Sequence, residues 1–214
     1  MTGPVAVIAA GGPAVVALAA GVLSSDDGGS GSSSGSSSST NTDASSSNSG
    51  SVLTGTLIDS TVSGVSYQST SNLSGITSVN GRFEYRSCEQ VNFQIGDTIL
   101  GIVIGGAVVT PVELAGVSNT ANRRVINIAQ LLQSLDEDQN TSNGVSINAT
   151  TCAAMLGHNL SFDVPISSFS ANENTVLAVT GNGLVASNDA INHLHGSLVE
   201  GGRLGSVARE TAIQ

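Results

Sequence analysis

Apolar and polar positions divide the chain into stretches of different texture. Residues 4–23 carry no charge and are rich in Ala, Val, Leu and Ile. Residues 24–51 are almost entirely Ser, Gly, Asn, Thr and Asp, with no large apolar side chain. From residue 52 apolar positions return in short alternating runs. Residues 52–59 form a β-rich run closed by a turn signal, and 62–67 alternate apolar with small polar residues, the period of a half-buried strand. Asn80-Gly81 precedes a further alternation at Arg82-Phe83-Glu84-Tyr85, a hairpin signal. Residues 91–95 alternate and stop at Gly96-Asp97, and 99–109 are a long apolar run broken by Gly101, Gly105 and Gly106, which predicts a buried strand with a bend or bulge. Beyond Thr110-Pro111 the period changes. Val125, Ile128, Ala129, Leu131, Leu132 and Leu135 recur at helical spacing behind Asn122 as a cap. A second helix is predicted after Ser187 or Asn188 as cap, and Phe162, Val164, Ile166 and Phe169 suggest an extended segment.

The pattern predicts an α+β fold, mainly β: a small β-sandwich followed by a helical C-terminal part. The organisation reads as a signal-like apolar segment (1–23), a disordered Ser/Gly tether (24–51), a β-sandwich-like half (52–112), a helix-containing half of the same folded unit (113–200) and a tail (201–214). The tether cannot bury enough surface to offset its ordering entropy. As a random coil it would span roughly 30 Å. The apolar segment has Ala17-Leu18-Ala19 as a small-x-small cleavage pattern, although it lacks a basic n-region. Export follows as the expectation, to the bacterial periplasm, cell surface or extracellular space, with the N-terminal segment as a possible membrane tether. The same run could instead serve as a strand donated to a sheet edge, so self-assembly stays open.

Composition narrows the chemistry. The chain has 214 residues and a formal net charge of −10, and its 6 basic residues are all arginine. That balance argues against a nucleic-acid surface and against anionic lipid headgroups. Without lysine there is no Schiff base and no P-loop. Cys88 and Cys152, an even count in an exported chain, predict a disulfide. Closing a loop of about 65 residues would stabilise by roughly 3–4 kcal/mol.

The most informative local motif begins at Leu135-Asp136-Glu137-Asp138-Gln139-Asn140 and runs to Asn143-Gly144. Asp136, Asp138 and Asn140 alternate like the first oxygen ligands of a calcium loop, with Asn143 as a further candidate. Thr141 at the sixth position and Ile147 at the twelfth exclude an EF-hand. Calcium is the one cofactor suggested, and a solvated turn after a helix is the alternative. His193 and His195 would diverge on a helix, and His158 stands alone. The spacing Gly-x-Ser-x-Gly occurs at Gly31-Ser32-Ser33-Ser34-Gly35, inside the Ser/Gly tether and not at a strand-to-helix turn, so no nucleophile elbow is read. The candidate acids Asp59, Asp97, Asp136 and Asp163 cannot be brought together from sequence, and catalytic residues are expected to be none. The sequons at Asn72, Asn140, Asn148 and Asn159 read as chance.

Several phrases together carry a resemblance. They are Gly55-Thr56-Leu57-Ile58-Asp59-Ser60 before Val62-Ser63-Gly64-Val65-Ser66-Tyr67; Asn80-Gly81-Arg82-Phe83-Glu84-Tyr85; Val91-Asn92-Phe93-Gln94-Ile95-Gly96-Asp97; and Asn127-Ile128-Ala129-Gln130-Leu131-Leu132-Gln133-Ser134-Leu135-Asp136-Glu137-Asp138. Over roughly residues 53–198 the chain resembles an uncharacterised module of proteobacterial exported proteins and lipoproteins. Its strand-rich half is similar to the prealbumin-like or carboxypeptidase-regulatory-like sandwich. The resemblance implies a non-enzymatic cell-envelope or secreted module with a structural or adhesive role, toward a surface or matrix ligand of unknown identity. A calcium-dependent binding module, or an accessory domain of an extracellular enzyme, is the alternative. Gly21 stands where the related sequences carry a lipid-bearing cysteine, and Cys88 where they tend to have glycine.

Overall fold

A computed structural model describes residues 50–201. The signal-like segment, the tether up to residue 49 and the tail beyond 201 lie outside the described residues. The strands come first: β1 (Val52–Leu57), β2 (Val62–Ser63), β3 (Ser66–Ser69), β4 (Ser74–Ile76), β5 (Arg82–Arg86), β6 (Gln90–Ile95), β7 (Thr98–Ile104) and β8 (Val108–Val109). Helices follow: α1 (Pro111–Ala115), α2 (Arg123–Ser134), α3 (Ala149–Ala154), α4 (Ile166–Phe169), α5 (Glu173–Thr180) and α6 (Ser187–Glu200), with the short β9 (Val145–Ser146) between α2 and α3. The fold is therefore α+β, with a strand region before a helical one.

The strands form three sheets. One has the order β5-β1-β8, a second β4-β3-β6-β7, and β2 pairs with β9. Alternation places Phe83 and Tyr85 of β5, Tyr67 of β3 and Val91, Phe93 and Ile95 of β6 inward. The rings of Phe83 and Phe93 meet edge to face at 4.9 Å, and Tyr67 contacts both at 6.0 and 6.5 Å. The two larger sheets thus share one aromatic core. The run at 99–109 is not one strand. β7 belongs to the four-stranded sheet and β8 to the three-stranded one, and the chain crosses between them at Gly105-Gly106. A Cβ on Gly105 would lie 2.3 Å from the Tyr85 ring, so the crossing needs glycine. The irregularity in register falls instead at Phe93/Gln94 of β6. Asn80-Gly81 also differs from expectation. Gly81 does turn with positive φ, but β4 and β5 belong to different sheets, so the turn is a corner rather than a hairpin.

Thr110 opens α1 with a capping box, accepting from Val112 N while Glu113 bonds back to Thr110. Asn122 caps α2 as predicted, accepting from Arg124 N at 2.9 Å. The α2 leucines and Ile128 join the same core as Phe83 and Phe93. On another side α2 packs through Val125 and Ala129 against Ala190, Leu194 and Leu198 of α6. Two predicted local features are corrected. The 162–169 segment is not extended throughout, because Ile166–Phe169 form a helical turn behind Pro165. The residue before α6 is Ala186, which has no side-chain cap, so neither Ser187 nor Asn188 caps it.

Candidate functional site

The turn after α2 is closed by its own acids. Asp136 Oδ1 accepts from Ser146 N at 2.8 Å, and Glu137 N donates to Ser146 O at 2.9 Å, tying both ends of the turn together. Gln139 adopts φ 57° and donates from Nε2 to Asp136 O at 2.6 Å and Ser134 O at 3.3 Å, satisfying carbonyls at the helix end. Asp138 accepts from Asn140 N at 3.0 Å and from Asn143 Nδ2 at 2.8 Å. Asn140 Oδ1 faces Ser142 Oγ at 2.6 Å. Of the four expected calcium ligands, Asp136 and Asp138 are therefore brought together, whereas Asn140 and Asn143 serve the turn. Among the described residues no group of three His, Cys, Asp or Glu converges. Asp136 is only 2% exposed, and its Oδ2 has no hydrogen-bond partner. Burial, and then the Asp138 charge, raise its pKa. Asp138 is held below the ordinary value by Asn143 and the Asn140 amide.

A second polar cluster lies under α6. Asp59 and Ser60 form the two-residue turn between Ile58 and Thr61. Asp59 is fully buried and both its oxygens accept from Gln133 Nε2, at 3.2 and 3.0 Å. Burial pushes its pKa up to about 7, against the lowering effect of the Gln133 hydrogen bond. Ser60 adopts φ 54°, its amide donates to Ser197 Oγ at 2.9 Å, and its Oγ lies 3.0 Å from His193 Nε2. The other ring nitrogen, Nδ1, lies 3.2 Å from Thr141 Oγ1. Burial lowers the His193 pKa, which favours the neutral ring.

A serine on a histidine is the beginning of a nucleophilic site. Here the orienting partner of the ring is a threonine rather than a carboxylate, and the Ser60 amide, a natural oxyanion donor, is engaged by Ser197. The cluster instead pins α6 to the β1–β2 turn. Residues 59, 60, 133, 141, 193 and 197 meet only in the fold, so no motif announces them. The available signals were a lone aspartate ending an apolar run and a glutamine on the apolar helix. His195 diverges from His193, as expected on a helix, and lies 2.8 Å from Thr120 Oγ1.

The remaining candidates are held by separate elements. Asp97 accepts from Gly157 N at 2.8 Å, and Asp163 pairs with Arg124 at 2.6 Å. The expected disulfide is not formed. Cys88 is an exposed free thiol in the β5–β6 turn, and Cys152 is a half-buried free thiol on α3 that donates to Gly64 O at 3.3 Å.

The outward face of the four-stranded sheet is open. Register sets it out in rows. Ile76, Ser66, Gln94 and Ile99 form one row, Ser74, Gln68, Asn92 and Ile102 the next, and Gln90 and Ile104 extend it. None of these residues is charged. Ile76, Ile102 and Ile104 are 66, 58 and 62% exposed. A shallow depression of about 410 Å³ crosses the face between Gln68, Ser74, Asn92 and Gln94. Asn92 donates to Gln94 Oε1 at 3.4 Å, while its own Oδ1 is buried and without a partner. The sequence showed the alternation of these strands but not that their polar positions would align into one uncharged surface. No protein-family model, curated protein or solved structure matches the chain.

Proposed function

We propose that the chain is an exported, non-catalytic module of the bacterial cell envelope that adheres to a neutral glycan through the open face of its four-stranded sheet. The observation that carries this reading is the absence of charge across that face in a chain of net charge −10. A charge-free surface of amides, hydroxyls and isoleucines complements a ligand that is itself uncharged, offers many hydroxyls and has apolar ring faces. The side-chain amides of Gln68, Asn92 and Gln94 line the depression and offer donors and acceptors to sugar hydroxyls. Size favours the same ligand. Four strands and three rows cover roughly 15 by 20 Å, well under the ~800 Å² per partner of a stable protein interface. The Ser/Gly-rich stretch at 24–51 would hold the module away from its attachment point. The aromatic core shared by the two larger sheets supports reading the strand half as a sandwich of the prealbumin kind.

The test is co-sedimentation with insoluble neutral polysaccharides, in parallel with acidic ones. The native chain should sediment with at least one neutral polymer, and added salt should not release it. Asn92→Asp with Ile102→Asp should abolish retention while leaving the circular dichroism unchanged. Failure on every neutral polymer, or undiminished retention of the double variant, would refute the reading.

A further inference from the structure

We propose that Asp136 and Asp138 form a site for one divalent cation, calcium by its chemistry, where the turn after α2 borders β2. Asp136 is almost fully buried; its Oδ1 accepts from the Ser146 amide at 2.8 Å, and the Asn140 amide also acts on the carboxylate. The other oxygen, Oδ2, is buried with no hydrogen-bond partner. A carboxylate oxygen left that way is costly, because it has lost water and gained nothing in exchange. Asp138 stands within hydrogen-bonding reach of the same carboxylate, so two negative groups face one another. Among the described residues no arginine acts on either carboxylate. The chain has no lysine. Among the described residues the one ion pair is Arg124–Asp163, elsewhere in the fold. His193 has its ring nitrogens on Ser60 and Thr141.

Space and ligand type fit a hard cation. A depression of about 230 Å³ opens beside Asp138, lined also by Thr61, Ser63, Asn143, Ser146, Val79 and Val145; Asp136 is not among the residues that line it. The depression offers hydroxyl and amide oxygens and room for the waters that calcium retains. Two carboxylates with water completing the shell belong to the weak end of calcium sites, with Kd on the order of 0.1–1 mM. The site is separate from the sheet face, so either proposal can fail without the other. The rival occupant of the gap is a single proton shared by the two acids.

Calorimetric titration of the full chain with calcium chloride at neutral pH tests the proposal. One saturable site is expected, and Tm should rise by about 3–6 °C at ten times Kd. Asp138→Asn removes one charge at an exposed position and leaves the Ser146 latch on Asp136 intact. It should fold, unfold at a higher temperature than the native chain in the absence of calcium, and lose both the heat and the calcium-dependent Tm rise. The proposal is overturned if the native chain shows no heat and no Tm change at ~10 mM calcium, which leaves the shared proton as the occupant. It is overturned equally if sodium at matched ionic strength stabilises as much as calcium, or if Asp138→Asn binds as the native chain does.

Discussion

Asp59 is the residue through which pH should act most strongly on this fold. Its carboxyl is fully buried, and its pKa is raised from 3.8 to about 7. A raised acid favours the protonated form in the folded state. The stability it contributes is therefore complete below the unfolded value and is lost as pH rises through about 7. A displacement of that size corresponds to about 4 kcal/mol across the window. Asp59→Asn keeps an acceptor for Gln133 and removes the titration. Thermal unfolding at about pH 5 and pH 8 should therefore show a smaller Tm difference in the variant than in the native chain, with the gain at the alkaline end. His193 acts in the opposite sense: burial lowers its pKa below 6.5, so it withdraws stability as pH falls through that region. The cysteines give a second check at this scale. Cys88 is exposed and adopts φ 64°, while burial raises the Cys152 thiol. A thiol reagent should titrate two thiols in the native host's protein, the first fast and the second slow. Cys88→Gly relieves the left-handed backbone and should raise stability by about 0.5–1 kcal/mol in denaturant unfolding.

At the scale of elements, α2 explains both what the sequence disclosed and what it withheld. Its leucines recur with helical period and Asn122 caps it, so its existence was legible. Its other side reads as polar and solvent-facing, yet Asn127, Gln130 and Gln133 are buried. Each side-chain amide reaches a distant backbone. Asn127 donates to Phe162 O and Val164 O, both at 3.0 Å; Gln130 donates to Val185 O at 2.9 Å; Gln133 donates to Ala190 O at 3.0 Å. These three positions, spaced three apart, staple the irregular segments at 162–164 and 185 and the first turn of α6 to the helix. Periodicity registers hydrophobicity and not the destination of an amide, so the staple was invisible. The same limit hid the splitting of residues 99–109 between two sheets and the helical turn at α4, which is too short for a 3.6-residue period. At the acidic turn residue type alone singled out Asp136, Asp138, Asn140 and Asn143 as oxygen donors, but not that Asn140 and Asn143 would bond within the turn, nor that Asp136 would bond to Ser146, because turn closure is a tertiary outcome. Asn127→Leu should cost about 2–4 kcal/mol by stranding two buried carbonyls. Leu177→Ser, at a half-exposed position of α5, should stay within about 0.5 kcal/mol in the same assay.

At the scale of the whole molecule, the question is whether the strand region and the helical region unfold together. The core answers in physical terms. Leu57, Phe83 and Phe93 from the strands and Ile128, Leu131 and Leu135 from α2 belong to one contiguous cluster, which also reaches Phe162 and Phe169. Each fully buried large side chain contributes about 1.5–3 kcal/mol of transfer free energy, and neither region could keep that burial without the other. Removing the helices would expose the strand side chains that join this cluster. The composition supplies separate reporters for the two regions. The two tyrosines, Tyr67 and Tyr85, both lie on strands, and there is no tryptophan. Tyrosine fluorescence therefore follows the strand region alone, while ellipticity at the helical minimum follows mainly α2 and α6. Denaturant curves from the two probes should superimpose with one midpoint and one slope. An earlier loss of ellipticity would mean that α6, joined to α2 through the smaller cluster of Val125, Ala129, Ala190, Leu194 and Leu198, detaches first. The Ser60–His193–Thr141 contacts argue against that order, because they fasten α6 to the β1–β2 turn and to the acidic turn at once. His193→Ala should then separate the two curves, lowering the ellipticity midpoint more than the tyrosine midpoint.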